Sequence, residues 1–203
     1  MSNGGRVTNA AGMANPWISF FAPVLGGERE AHEFVDPLEA LERAEPQHPA
    51  KIMMHQTQRL VSIADDLPTI RNGKESLQLL FLLICAENTA KLHDNFDGEG
   101  ESRRYVRQFF ERFLVGGDRQ TVERSFPTHG FLRRELREII DLLYDVRCDV
   151  VHEGKYWGFH FHDGRMAMLN TDPDVIVSIT FSEFRNIVVR GCIQAVRTYP
   201  GRP

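Results

Sequence analysis

Arg147 and His152 stand five positions apart in the stretch Leu142 to Gly154, Leu-Leu-Tyr-Asp-Val-Arg-Cys-Asp-Val-Val-His-Glu-Gly. Arginine keeps its charge at any physiological pH and carries a planar fork of donors that suits the oxygens of a phosphate or carboxylate. Histidine exchanges a proton near neutrality. Together they could hold an anion and move a proton beside it. No other part of the chain sets two such groups so close to a structural stop.

That stop belongs to a helix. Leu132, Leu136, Ile139, Leu143, Val146 and Val150 recur at steps of four and three, the spacing of one apolar stripe, while Arg134, Glu135, Glu138 and Asp141 fall off it. Gly154 can take the left-handed conformation that closes a helix, and a histidine in the last turn suits the negative end of the helix dipole. At the helical step, residues five apart point about 140° away from each other. A straight helix therefore does not aim both groups at one small ligand. A frayed helix end, or a second copy supplied by a partner subunit, would let them converge.

Arg-x4-His at the end of an amphipathic helix, followed by Glu153 and Gly154, resembles the signature of the HEPN superfamily, whose helical bundles include many RNases. The motif covers one helix, and the order of elements from about residue 51 to 199 is compatible with it. The resemblance implies a homodimer whose two motifs face each other and RNA cleavage without metal or cofactor. Asparagine most commonly follows the arginine in that family; here Cys148 does.

On this reading the 2′-hydroxyl of RNA attacks the neighbouring phosphate, so DNA should be spared. His152 would serve as general acid or base and Arg147 would hold the phosphate oxygens as charge builds. In a dimer, one histidine could remove a proton while the other donates one. Glu87 and Asn88 lie in a segment expected to be buried, where polar groups need partners. Glu87 could orient Arg147 across the bundle, although an ordinary interhelical bond is the plainer role. Tyr144, Cys148, Asp149 and Glu153 are further neighbours of the motif. Arg103, Arg104 and Arg107, together with Arg133, Arg134 and Arg137, are candidate phosphate contacts, set against the plainer reading of solvated, ion-paired faces.

Two rivals stand beside the nuclease. One is a catalytically silent HEPN-like module that dimerises and binds a protein or nucleotide, in which Arg147 and His152 only tie the fold together. The other is a metal hydrolase built on His152, His160, His162 and Asp163. No cysteine or second matched pair joins the two histidines of that strand, so solvent-facing histidines account for them better. The family includes toxins with a neutralising protein partner, antiviral defence proteins and RNA-processing enzymes, and the resemblance does not choose among these roles.

The 203 residues are ample for one core, and a net charge of -4 argues against wholesale coating of nucleic acid while leaving room for a local basic cleft. Cys85, Cys148 and Cys192 are odd in number and widely spaced, which suits reduced thiols in a cytosol. The apolar runs Trp17 to Leu25 and Leu79 to Ala86 are too short to span a bilayer. A soluble cytoplasmic protein is expected.

The expected fold is mainly α, a bundle of about four to five core helices with a small β-hairpin before the last. Residues 1–50 form an N-terminal arm, disordered to about residue 16, with a short helix at the spacing of Phe34, Leu38 and Leu41. The bundle occupies 51–203. Its first helix runs from Lys51 to Leu67, ending before Pro68. The next is capped by Asn72 and is apolar on nearly every face from Leu77 to Ala86, which makes it the central member. A basic helix begins at Glu101 or Ser102 and ends at Gly116-Gly117, and residues 118–130 connect it to the motif helix. Alternation then predicts strands near 156–180, with Trp157, Phe159 and Phe161 on one face, Asp163-Gly164 as the turn and Val175 to Thr180 as a further strand. Ser182 caps the last helix.

Overall fold

A computed structural model of the chain describes residues 15–41, 45–70, 74–130, 133–164 and 169–201. Among them are eight helices: α1 (Pro16–Leu25), α2 (Glu28–Ala40), α3 (Pro49–Ile70), α4 (Glu75–His93), α5 (Ser102–Arg112), α6 (Asp118–Arg124), α7 (Leu136–Glu153) and α8 (Phe181–Thr198). None is long and apolar enough to cross a membrane.

The apolar pattern of α4 decides the architecture. Its buried side chains, from Gln78 and Cys85 on one flank through Leu79, Leu83, Ala86 and Ala90 to Ser76 and Glu87 on the other, cover a broad arc, and the helix packs against α3, α5, α7 and α8. The predicted central helix is thus the hub of the bundle. α1 and α2 pair with each other and lie on α3, adding Phe21, Phe34 and Leu38 to the same apolar core. Pro37 sits inside α2, and α2 is longer than the short helix expected from Phe34, Leu38 and Leu41.

Three boundaries differ from the sequence reading, each for a local reason. α3 continues through Pro68 to Ile70. A proline leaves the carbonyl four residues earlier without its helical donor, and here that carbonyl, on Ala64, accepts from the Gln78 side-chain amide at 3.0 Å. Residues 118–124 form α6 rather than a plain connection. The last helix is capped two residues earlier than expected, by Thr180 instead of Ser182: the Thr180 hydroxyl accepts from Glu183 N at 3.1 Å, and the Glu183 carboxylate reaches back to Thr180 N at 2.9 Å. The expected cap Asn72, the stripe residue Leu132 and residues 165–168 of the expected hairpin lie outside the described residues.

The larger correction concerns the hairpin. Among the described residues there is no strand, only isolated antiparallel bridges between Phe159 and Leu169 and between Thr128 and Val175. The alternation was a true signal of facing: Phe159, Phe161, Val175, Val177 and Ile179 are all buried, although Trp157 is 57% exposed. What fails is the ladder, because neighbouring elements take its hydrogen bonds. Phe159 exchanges two bonds with the Ser76 hydroxyl, at 3.1 and 3.3 Å, and Phe161 N donates to the Glu75 carboxylate. Ile176 N and Ser178 N donate to Pro127 O and Ser125 O at 2.8 and 2.9 Å. The segment is an extended cover strapped to the start of α4 and to the α6–α7 connection.

Candidate functional site

α7 places both motif residues. Glu135 and Glu138 form a reciprocal capping box at its start, the stripe Leu136, Ile139, Leu143, Val146 and Val150 is buried, and Gly154 closes the helix at φ 65° with its N–H on Asp149 O. Arg147 lies beside the stripe and His152 in the last turn, so one side chain turns toward the bundle while the other faces solvent.

The Arg147 side chain retains 16% of its exposure, and its guanidinium is shared between two elements. Nη2 donates to Glu87 Oε2 of α4 at 3.2 Å, and Nη1 donates to the Tyr144 hydroxyl at 3.2 Å. The fork also lies over the Tyr144 ring, 5.0 Å from its centroid, while Arg103 of α5 covers that ring at 4.7 Å. Glu87 is itself held by Lys91, whose Nζ donates to Oε1 at 2.8 Å. Arg147 Nε is buried without an acceptor in the described structure. Lys91 and Arg147 share the Glu87 carboxylate, while Arg103 pairs with Asp145 and reaches Asp141 at 4.0 Å.

His152 is the opposite case. It is exposed and makes no hydrogen bond or ion pair with the described residues. The two motif residues do not converge on a common point within one chain. Among their neighbours, Glu153 pairs with Lys155, which holds that lysine above its usual pKa. The Asp149 carbonyl accepts from Gly154 N and, at 3.1 Å, from Lys155 N. Cys148 is a half-buried free thiol, and half-buried Asn88 makes no hydrogen bond with the described residues. Val151, Tyr156 and Trp157, close to His152 in sequence, are exposed by 51%, 38% and 57%.

The six arginines named as phosphate contacts do not form one surface. Arg107 grips Asp141 of α7 with two bonds, at 2.5 and 2.7 Å, Arg103 pairs with Asp145, and Arg104 pairs with Glu101. The Arg107 and Arg103 pairs hold α5 to α7, and the Arg104 pair is local to the start of α5. Arg134 pairs with Asp172 at 2.6 Å. Arg133 and Arg137 are exposed and have no acidic partner among the described residues. The histidines after the motif also separate: His160 Nδ1 lies 3.7 Å from Glu75, and His162 faces Glu183. Among the described residues no group of three or more histidines, cysteines or acids converges as a metal would require.

Two participants escaped the sequence reading. Lys91 has no place in the motif reading, yet its i,i+4 spacing to Glu87 is an available signal. The Arg103–Tyr144–Arg147 stack joins side chains from two helices, and no spacing rule reveals it. Comparison with known proteins places no name on this arrangement: no family model, no curated protein and no solved structure matches the chain.

Proposed function

We propose that the chain is a metal-independent endoribonuclease of HEPN type, acting as a homodimer in which His152 transfers protons and Arg147 binds the scissile phosphate. The observation that carries this reading is the division of labour on α7: a guanidinium pre-oriented by Glu87 and Tyr144, followed by a histidine open to solvent. Glu87 and Tyr144 fix the fork on one side, so little side-chain entropy is lost when phosphate oxygens meet the other. His152 would take the proton of the attacking 2′-hydroxyl, and His152 of a second copy would protonate the leaving oxygen. The 140° between the two side chains, about what a straight helix gives, is why the reading needs a second chain to complete the cleft.

A specific observation favours the second reading, a silent dimerisation or binding module. Arg147 is already neutralised by Glu87 and stacked on Tyr144, which is how a purely structural arginine looks. The readings part in a cleavage assay with purified protein in chelator. The nuclease cuts RNA, leaves cyclic phosphate ends and spares a substrate carrying 2′-deoxyribose at the cut positions. The silent module forms the dimer and cuts nothing.

A further inference from the structure

α7 has a second end. Its approach, Arg133 to Glu135, and the facing residues of α6, Gln120, Glu123 and Arg124, line a recess of about 380 Å³. From Leu136 to His152 the helix rises by about 24 Å, so this recess is separate from the motif. Three arginines share its wall with two glutamates, and the glutamates are already engaged. Glu123 Oε1 accepts from Arg119 Nε at 2.9 Å, and the Glu135 side chain accepts the backbone N–H of Glu138 in the capping box. The arginines are less committed. Arg124 and Arg133 are exposed with no acidic partner among the described residues, and Arg134 spends one Nη on Asp172 while its Nε is buried without an acceptor.

Among the described residues, Arg103, Arg107, Arg185 and Arg190 each meet an aspartate across two helices. In the recess two guanidinium groups without an acidic partner among the described residues, those of Arg124 and Arg133, instead line one cavity large enough for a small oxyanion. An anion with several acceptor oxygens can meet both through paired, charge-assisted hydrogen bonds.

We propose that this recess is a phosphate-binding site, taking either the backbone of a bound RNA or a free phosphate ester such as a nucleotide, with Arg124 and Arg133 as its principal ligands and Arg134 as its fixed wall. The assignment stands independently of the nuclease reading.

The test is calorimetric titration of the full-length protein with inorganic pyrophosphate at low salt, using wild type, Arg124→Gln/Arg133→Gln and the charge-matched control Arg59→Gln/Arg197→Gln. All four positions are exposed, so the variants should fold as wild type does. Saturable binding to wild type, weakened at least about tenfold in the recess variant and unchanged in the control, is expected for two charge-assisted contacts. No saturable binding, or equal weakening in both variants, overturns the site. Competition identifies the source: displacement of pyrophosphate by single-stranded RNA of the same charge-sensitive affinity assigns the recess to the RNA chain, and displacement by nucleoside triphosphate but not RNA assigns it to a free ester.

Discussion

Arg147 and His152 share a helix and a motif, yet they belong to different kinds of structure. Arg147 is enclosed by Glu87, Tyr144 and, through Glu87, Lys91; His152 touches nothing described. Substitution at the first disturbs a network linking α4, α5 and α7, and substitution at the second removes only a solvated ring. A loss of activity is therefore informative about chemistry at His152 and ambiguous at Arg147. This asymmetry sets the order of the experiments.

The largest effect should come from breaking the enclosed side. Glu87→Ala leaves Arg147 and Lys91 without their carboxylate, and removing one partner of a buried pair costs about 3–5 kcal/mol. With the 8% and 16% exposure of Glu87 and Arg147 the lower part of that range is expected in urea unfolding, and an unchanged midpoint would mean the pair is solvated. Next comes Gly191→Ala, on the buried face of α8. A methyl group there would meet the Phe109 ring at 2.6 Å, so overpacking of about 1–3 kcal/mol is expected in the same measurement. Thr180→Ala tests the cap that displaced Ser182; about 1 kcal/mol should be lost, while Ser182→Ala should be nearly neutral.

Two smaller effects sharpen the comparison between closed and open regions. The Thr180 N–H and hydroxyl hold the Glu183 carboxyl below its ordinary pKa, so its contribution is present above the unfolded pKa of 4.5 and fades as pH falls through the folded value. Acid titration of Glu183→Gln should accordingly show a shallower stability loss below about pH 4.5 than wild type. The thiols divide in the same way. Cys85 lies 3.6 Å from Cys192 in the core, and that sulfur together with burial pushes the Cys85 thiol well up. A thiol reagent should thus label half-buried Cys148 in the native protein and reach Cys85 and Cys192 only on unfolding; rapid labelling of all three would contradict the packing.

Much of the fold was legible because periodicity reports which residues face inward. The stripe of α7, the all-round apolar surface of α4 and the Gly154 stop follow from local spacing. Periodicity does not report where backbone hydrogen bonds go. Phe159, Phe161, Val175 and Val177 alternate as strand residues do, but Ser76 and Glu75 capture backbone groups of Phe159 and Phe161, and Pro127 and Ser125 accept from Ile176 and Ser178, which no reading of residues 156–180 alone could reveal. α3 passes through Pro68 for the same reason, since the donor that replaces the missing N–H comes from Gln78. At the site, the chemistry of Arg147 and His152 was visible in type and spacing, whereas their unlike burial depended on α4 and α5. The basic side of α5 was equally visible, but that Arg103 and Arg107 face Asp145 and Asp141 was not.

The most direct test joins folding and chemistry in one variant. His152→Ala should unfold within about 0.5 kcal/mol of wild type, as an exposed side chain without partners allows, and in chelator it should lack the RNA cleavage that the nuclease proposal expects of wild type. Cleavage surviving in a folded His152→Ala protein, or no cleavage of varied RNAs by wild type, would contradict the assignment of the α7 motif as a nuclease site.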